Sequence, residues 1–259
     1  MKFILCFFSG VLLGNFAYAT TMDSTEVSIG EFSEFVVSSG LTTHAEQYGG
    51  MVYEGGWVVK PNWNWRAPYG EIGAFDEPAV HVTYAEAEKY CEWKGKRLPT
   101  KREWLEAGYT EKRVKPTDGY LTGKTYPYPT GESPVGANCL SDCDAETLLV
   151  DKKKNYHVKL NRGLGHAPVG VSKQGVNGLY DMGANVWEWA KLPSDNGHQA
   201  TMGGSWWYGK RQMRANYGAT KPKGMAVVYI GFRCISDDQS QRTSPVQAPT
   251  PSIPNVPVG

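Results

Sequence analysis

Hydrophobic residues recur at helical spacing in three short segments of the chain, and each segment opens with the same polar pair. The pair is Ser or Thr followed three residues later by Glu, and it occurs at Ser28/Glu31, Thr83/Glu86 and Thr100/Glu103. In such a capping box, each side chain bonds the backbone N–H of the other residue, which satisfies donors that a helix start leaves free. The pattern therefore predicts three helices, the first ending before Gly40 and the second at Gly95.

The remaining apolar runs are short, and Gly, Pro and Asn separate them. The runs at 226–230 and 232–235 are predicted to be strands. Residues 110–180 contain no predicted regular element, which is uncommon inside a compact domain. Bound metal ions and a disulfide could order such a stretch.

The two ends of the chain differ from its middle. A positive charge at Lys2 precedes an apolar run to about Phe16 and a small-x-small site that ends at Ala19. This order is typical of a secretory signal peptide, while a membrane anchor is disfavoured because the run is short and broken. Near the C-terminus, prolines alternate with small polar residues, as in a disordered or polyproline tail. We predict a signal peptide at 1–19, one folded domain at 20–236 and a Pro-rich tail at 237–259.

The charge balance argues against nucleic acid or anionic lipid as a partner. The chain has 27 Lys and Arg against 26 Asp and Glu, so the mature protein is near neutral and carries no basic footprint. We expect a periplasmic or secreted protein with no membrane span after signal cleavage.

Four cysteines remain after cleavage, at Cys91, Cys139, Cys143 and Cys234. An even count in an oxidising compartment predicts two disulfides, for which three pairings exist. We favour Cys91–Cys234, which would join the second helix to the last strand, together with Cys139–Cys143, which would close a small loop. The alternative for the short pair is half of a zinc site, but no second pair of Cys or His lies at ligand spacing.

Local motifs for common enzyme chemistry are incomplete. No two of the five histidines are spaced as a local metal site requires, so each is expected at the surface or the edge of the core. The Gly-rich run at 163–170 is no dinucleotide fingerprint, because Pro168 falls in the would-be helix. Ser205 lacks the glycine two residues later that a nucleophile elbow requires.

A more informative segment lies at 180–189. Asp181 and Glu188 flank small residues and Asn185 within an aromatic-rich run. Hard oxygen ligands at short spacing suit calcium. The alternative is a capped turn buried under Trp187 and Trp189.

Several segments, in a fixed order from about residue 22 to 235, resemble the formylglycine-generating (sulfatase-modifying) family. They lie at 23–27, 78–83, 90–100, 103–104, 137–138, 167–170, 177–182, 185–189, 203–206 and 231–234. The resemblance implies an irregular α+β fold, distantly like that of C-type lectins, with little regular secondary structure and bound calcium. It also implies a disulfide between the second helix and the last strand, which matches Cys91 and Cys234.

The resemblance further implies two structural calcium (Ca²⁺) sites. The first would use the side chains of Asp181 and Glu188 with the carbonyls of Ala184 and Val186. The second would use Asn138, the Cys139 carbonyl, Asn161 and the Gly163 carbonyl. Asn161 stands where the family has Asp, and the lost charge should weaken this second site.

The family's catalytic cysteine pair has no match in this chain. In the family, two cysteines lie three and eight residues after the Ser of a Gly-Gly-Ser motif, where they bind Cu(I) and activate oxygen against a substrate cysteine. After Ser205, these positions hold Tyr208 and Met213. Anionic, polarisable thiolates suit Cu(I), and a phenol and a thioether do not replace them. We therefore expect neither copper nor the formylglycine oxidase reaction.

Three functions are compatible with these features. The first is maturation of a secreted or periplasmic peptide product, since the arrangement resembles a periplasmic family member required for pyoverdine siderophore maturation; any catalysis would be oxidoreductase-like. The second is a lectin-like module that binds a ligand or protein. Its aromatic and basic patch would comprise Trp206, Trp207, Tyr208, Arg211, Arg214 and Tyr217. The third is a formylglycine-generating oxidase with other metal ligands.

The predicted cleft would accept a peptide, a protein segment or a small molecule. Its candidate residues are Trp187, Ser205, Tyr208, Arg211 and Met213. A hydroxyl, a phenol and an indole can bind and orient a substrate, but no obvious base or electron acceptor accompanies them.

Overall fold

A computed structural model describes residues 20–117, 119–144 and 164–237. The predicted signal peptide and the tail beyond Asp237 lie outside these ranges. The helices are α1 Ile29–Ser39, α2 His44–Tyr48, α3 Tyr84–Trp93 and α4 Lys101–Tyr109. The strands are β1 Thr20–Met22, β2 Gly50–Tyr53, β3 Trp57–Lys60, β4 Trp187–Ala190, β5 His198–Met202, β6 Ala219–Pro222, β7 Ile230–Gly231 and β8 Ile235–Asp237.

The three predicted helices form as α1, α3 and α4, each behind its capping box. A fourth helix, α2, was not predicted. It uses the same device, because Thr43 and Glu46 cap each other's backbone N–H. The signal was present in the sequence, but the five-residue helix is too short to show a helical period.

Helix α4 carries an additional charge pair at its start. Arg97 donates to both carboxylate oxygens of Glu103, at 2.8 and 2.7 Å. These bonds, with those from Thr100, lower the pKa of Glu103 to about 2 from an ordinary value of 4.5. The carboxylate therefore stabilises the fold above its ordinary pKa, and this contribution is lost as the pH falls toward 2.

The change Glu103→Gln is expected to cost about 0.5–1 kcal/mol at pH 7, because glutamine can still cap the helix but cannot pair with Arg97 as an anion. The difference from the wild type should shrink as the pH falls from 5 toward 2, as measured by urea unfolding at each pH. Glu46→Gln is the matched control, since Glu46 occupies the same capping position in α2 and bonds only Thr43 in the contacts described. A loss of stability for Glu103→Gln that does not change with pH would contradict a stabilising role for the ionised Glu103 carboxylate.

A four-stranded sheet with order β6-β5-β4-β7 forms the base of the fold. Neighbouring strands are antiparallel except for β4 and β7, where Trp187 pairs with Ile230 in parallel. Strands β2 and β3 form a separate antiparallel hairpin, and β1 pairs with β8.

The predicted strands near the C-terminus are corrected by the structure. In the run predicted at 226–230, only Ile230 belongs to a strand, β7, and the run predicted at 232–235 reaches β8 only at Ile235. The residues from Ala226 to Ile230 are nevertheless fully buried. Their hydrophobicity reflects the core, while a turn closed by the Ile230 N–H on the Val227 carbonyl interrupts the ladder.

The compact unit spans Met22–Ser236, and aromatic side chains fill its core. Those with almost no exposed surface include Trp65, Trp104, Trp189, Trp206, Phe32 and Phe232. Both favoured disulfides are confirmed, Cys91–Cys234 and Cys139–Cys143. In the described parts of 110–180, the regular structure is limited to a short 3₁₀ turn at Val176–Gly178 and to isolated bridges that involve Thr110 with Thr125, Tyr128 with Gly131, and Asn138. None of the helices in the described ranges has the length and apolar character needed to cross a bilayer.

Candidate functional site

A tight turn before β4 brings the predicted calcium residues to the centre of the domain. Asp181, Ala184 and Asn185 all adopt left-handed backbone angles, with φ of 58°, 65° and 45°. Non-glycine residues adopt this conformation rarely, and the surrounding structure must hold them there. The turn leads directly into Glu188, whose side chain is fully buried on β4.

Glu188 forms a buried ion pair with Arg233. The guanidinium donates through Nε to Oε2 and through Nη2 to Oε1, both at 2.8 Å. The indole N–H of Trp104 also donates to Oε2 at 2.8 Å. Because a carboxylate has about four acceptor positions, one remains on Oε1.

A third carboxylate, Glu26, lies in the same buried cluster. Its oxygens accept from the side-chain amide of Asn185 at 2.7 Å and from the Val186 N–H at 3.1 Å. Burial, followed by the nearby Asp181 and Glu188, raises the pKa of Glu26 well above its ordinary value. Glu26 lies in the quoted segment at 23–27, but no local pattern assigned it a role.

Two buried oxygens of this region have no hydrogen-bond partner among the described residues. They are Oδ1 of Asp181 and Oδ1 of Asn138. The amide of Asn138 donates both to Asn185 Oδ1 at 2.9 Å and to the Gly165 carbonyl at 3.0 Å, which fixes its oxygen as a free acceptor. A buried acceptor without a donor is costly, so each oxygen is placed to bind a cation or an ordered water.

The charges and donors of this cluster fit a hard divalent cation. Glu26, Asp181 and Glu188 outnumber the single guanidinium of Arg233, which leaves two negative charges to neutralise when all three are ionised. In the described ranges no three His, Cys, Asp or Glu side chains converge as ligands. A cation here would therefore also use amide and main-chain oxygens, as calcium commonly does. The resemblance implied the carbonyls of Ala184, Val186 and Cys139 as calcium ligands. Two other implied ligands, Asn161 and Gly163, lie outside the described residues.

The second feature is a group of aromatic rings formed by Trp187, Tyr208 and Tyr217, which we call the aromatic cleft after the predicted one. The ring of Trp187 lies 5.6 Å from Tyr208 and 6.0 Å from Tyr217, centroid to centroid. Trp187 is buried, and its indole N–H has no acceptor within the described part of the chain. The two tyrosines are half-buried, so the cleft combines an unused donor with partly exposed rings. Tyr217 was predicted as part of the aromatic and basic patch but not as a residue of the cleft.

The other predicted cleft residues are not all brought together. Ser205 is buried, and its Oγ accepts from the Trp207 N–H at 3.3 Å. Arg211 is exposed on a short 3₁₀ turn. Met213 lies in a separate buried cluster, where its sulfur is 3.7 Å from the Cys143 sulfur. The cleft therefore consists of Trp187 and Tyr208 from the predicted set, together with Tyr217.

The copper ligands that the fold family implies do not fit this region. Tyr208 packs on Trp187, and Met213 is enclosed among apolar residues. All four cysteines in the described ranges are in disulfides, so these ranges offer no thiolate pair to a soft metal ion.

The aromatic and basic patch of the lectin-like alternative does not assemble as predicted. Trp206 and Trp207 belong to the core rather than the surface. Arg214 lies over the ring of Tyr128, at 5.1 Å from its centroid. A sugar-binding face built from these residues is therefore corrected to the smaller cleft described above.

Two histidines are also buried, contrary to the sequence expectation. His166 lies between the Tyr69 hydroxyl at 2.9 Å and Glu77 at 2.8 Å. His81 contacts the Pro68 carbonyl at 2.9 Å, and burial lowers its pKa to about 4. These partners are distant in sequence, which is why local spacing did not reveal them.

Comparisons with known proteins agree with this geometry. A family model described as "Sulfatase-modifying factor enzyme 1-like domain" matches residues 16–238. The formylglycine-generating enzyme of Bos taurus is 28% identical over a match that covers 83% of this chain. The same match covers 65% of the bovine enzyme, just under two thirds of its length. The inactive C-alpha-formylglycine-generating enzyme 2 of Bos taurus is also 28% identical, with coverage of 83% of this chain and 76% of that protein.

The fold is similar to that of PvdO from Pseudomonas aeruginosa, with a TM-score of 0.57. The two are 17% identical, and the match covers 83% of this chain and 79% of PvdO. At this identity the likeness concerns the fold alone. It confirms the predicted irregular α+β, C-type-lectin-like architecture.

Proposed function

Because the chain belongs to the sulfatase-modifying factor enzyme 1-like domain family, we propose that it acts in the maturation of an exported peptide product without copper-cysteine oxidation. It would bind that product in the aromatic cleft. Two disulfides support a periplasmic or secreted location, since oxidising compartments preserve them.

The observation that carries the proposal is the environment of Tyr208. By the resemblance, Tyr208 stands at the first catalytic cysteine position. Its ring completes the cleft against Trp187 instead of supplying a metal ligand. A relative whose name describes it as inactive shows that the family includes members without the enzymatic activity.

The cleft is suited to a peptide that carries a ring. Half-buried tyrosines offer flat apolar surfaces at low entropic cost, and the free N–H of Trp187 can donate to a peptide carbonyl. Binding would satisfy a donor that is otherwise buried without a partner, which favours a ligand with an acceptor at this point.

We expect no aldehyde when the purified protein is incubated with Cu(I), oxygen and a cysteine-containing sulfatase-type peptide. Mass spectrometry of the peptide would measure the conversion. A formylglycine-generating enzyme, assayed in parallel, serves as the positive control. Copper-dependent conversion by this protein would contradict the proposal and favour the oxidase function.

Peptide binding is tested by selecting a displayed random-peptide library on the immobilised protein. We expect enriched sequences on the wild type and a loss of about tenfold or more in their affinity for Tyr208→Ala and Trp187→Phe. Phenylalanine is used because Trp187 is part of the core, where truncation to alanine would cost about 3–5 kcal/mol. The control is Tyr48→Ala, which removes an exposed tyrosine of α2. Equal binding by all variants would exclude the cleft as the site.

We also propose that calcium stabilises the buried carboxylate cluster. The free Oδ1 of Asp181 and the remaining position on Oε1 of Glu188 would serve the first predicted site, and the free Oδ1 of Asn138 would serve the second. Calcium at about 100 times its dissociation constant would add about 2.7 kcal/mol. For a domain of this size, that corresponds to a rise of about 5–10 °C in the unfolding temperature.

Calorimetry of the EGTA-treated protein, with and without added CaCl₂, measures this shift. Asp181→Asn should reduce the shift strongly. Asp195→Asn should leave it unchanged, because Asp195 is exposed and paired with Lys223. An unfolding temperature that calcium does not alter in the wild type would rule out the site.

A further inference from the structure

A row of packed aromatic rings connects the cleft to the β2–β3 hairpin through the core. Tyr208 lies 5.8 Å from Tyr229, and Tyr229 lies 6.5 Å from Trp57, centroid to centroid. Trp57 in turn packs edge-on against Tyr53 at 5.6 Å. Tyr229 is buried in the core, whereas Trp57 and Tyr53 are each 43% exposed. A continuous row of rings therefore leads from the cleft to an exposed tryptophan.

A lysine from the neighbouring strand β6 completes this exposed end. The Nζ of Lys221 lies 5.5 Å from the centroid of the Trp57 ring. This contact fixes the ammonium group beside the ring, where the aromatic face attracts it. Burial lowers the pKa of Lys221 from its ordinary value, which shows that the ammonium has lost part of its hydration.

The neighbouring lysines differ from Lys221 in their partners. Lys60 bonds Glu54 at 2.8 Å, and Lys223 bonds Asp195 at 2.6 Å. Lys221 has no ion pair within the described part of the chain. The ammonium group of Lys221 could therefore pair with an anion of a ligand. The exposed ring of Trp57 beside it could stack on an apolar ring of the same ligand.

We propose that Trp57 and Lys221 form a second binding subsite for a carboxylate-bearing, ring-containing segment of a peptide. The inference rests on the proposed function in one respect, namely that this peptide is the one that also occupies the aromatic cleft. An extended chain advances about 3.3 Å per residue, so roughly five residues would reach from Trp187 to Trp57. The subsite therefore specifies an acidic residue next to a proline or an aromatic residue in the product.

The probe for the subsite is N-acetyl-Asp-Tyr-amide, and N-acetyl-Asn-Tyr-amide is its isosteric neutral control. Isothermal titration calorimetry should show that the wild type binds the acidic probe about tenfold more tightly than the neutral one. The difference should decrease at high salt, because a half-buried ion pair is partly screened.

Two variants test the charge of Lys221 and the ring of Trp57 separately. Lys221→Met should remove the preference for the acidic probe while leaving the affinity for the neutral probe unchanged. Trp57→Leu should weaken both probes about fivefold or more. Lys223→Met is the matched control, because it removes a nearby lysine that already has its own carboxylate, and it should change neither affinity.

The outcomes distinguish the subsite from the cleft. If Tyr208→Ala abolishes binding of the selected library peptides while Lys221→Met and Trp57→Leu bind both probes like the wild type, the cleft stands and the subsite is wrong. If Lys221→Met and Trp57→Leu weaken the probes as expected while Tyr208→Ala leaves binding of the library peptides unchanged, the subsite stands and the cleft fails. Equal wild-type affinity for the two probes would overturn the proposal, as would a neutral oligosaccharide that binds through Trp57 with no dependence on Lys221.

Discussion

Replacing Arg233 by methionine is expected to cost about 3–5 kcal/mol. The guanidinium is fully buried and makes two bonds to Glu188. It also donates to the carbonyl of Asp23 at 3.0 Å and to that of Tyr180 at 2.7 Å. Removing it would leave a buried carboxylate without its counter-ion and two carbonyls without a donor.

The neighbouring carboxylates increase this cost. Arg233 offsets the charge not only of Glu188 but also of Glu26 and Asp181. Domains of this kind are stable by about 5–15 kcal/mol in total, so the variant would lose a large fraction of its stability. Urea unfolding followed by circular dichroism, with calcium present throughout, measures the loss.

Two further variants identify the cause of the expected loss. Arg102→Met removes an arginine that is 87% exposed at its side chain and should change stability by less than about 0.5 kcal/mol. Adding Glu188→Gln to Arg233→Met should recover part of the loss, because it removes the stranded charge. A loss below 1 kcal/mol for Arg233→Met alone would show that the cluster does not depend on this ion pair.

The sequence predicted the features that depend on neighbouring residues. A capping box requires two residues three positions apart, and each such pair proved to start a helix, including the pair at Thr43 and Glu46 that was overlooked. The irregular fold and the Cys91–Cys234 bridge followed from the resemblance, since many quoted segments occur in one order. The cleft pair Trp187 and Tyr208 was also named in advance, because both residues lie in or beside those segments.

Other features could not be read from local patterns. Glu26 and Arg233 belong to one charge cluster although 206 residues separate them along the chain. Met213 was placed in the cleft by its position in a motif, but the chain turns its side chain toward Cys143. Hydrophobic runs reveal burial and not backbone geometry, so the run at 226–230 was wrongly predicted to be a strand throughout.

The architecture also explains how function can change while the fold persists. The turn at 181–185 and the Arg233 pair fix β4, and β4 supplies Trp187 to the cleft. Tyr208 lies outside this support, whereas Met213 packs in one buried cluster with Ala184 of the turn. A change at position 208 therefore need not disturb the buried charges that hold the domain together, which is compatible with the proposed binding role of Tyr208.

Replacing both Cys91 and Cys234 by alanine is expected to cost about 5 kcal/mol, whereas replacing Cys139 and Cys143 should cost about 2 kcal/mol. A cross-link stabilises mainly by restricting the unfolded chain, and the restriction grows with the length of the closed loop. The two bridges span sequence separations of 143 and 4 residues. All four cysteines are buried, so the loss of packing is matched between the two double variants.

Urea unfolding under non-reducing conditions measures both losses against the wild type. The long bridge ties α3 to the segment that leads into β8. Its removal would therefore let these two parts of the unfolded chain move independently. The short bridge closes a loop whose entropy is small at any temperature. Equal losses would mean that packing of the sulfurs, and not the length of the loop, determines how much each disulfide stabilises the domain.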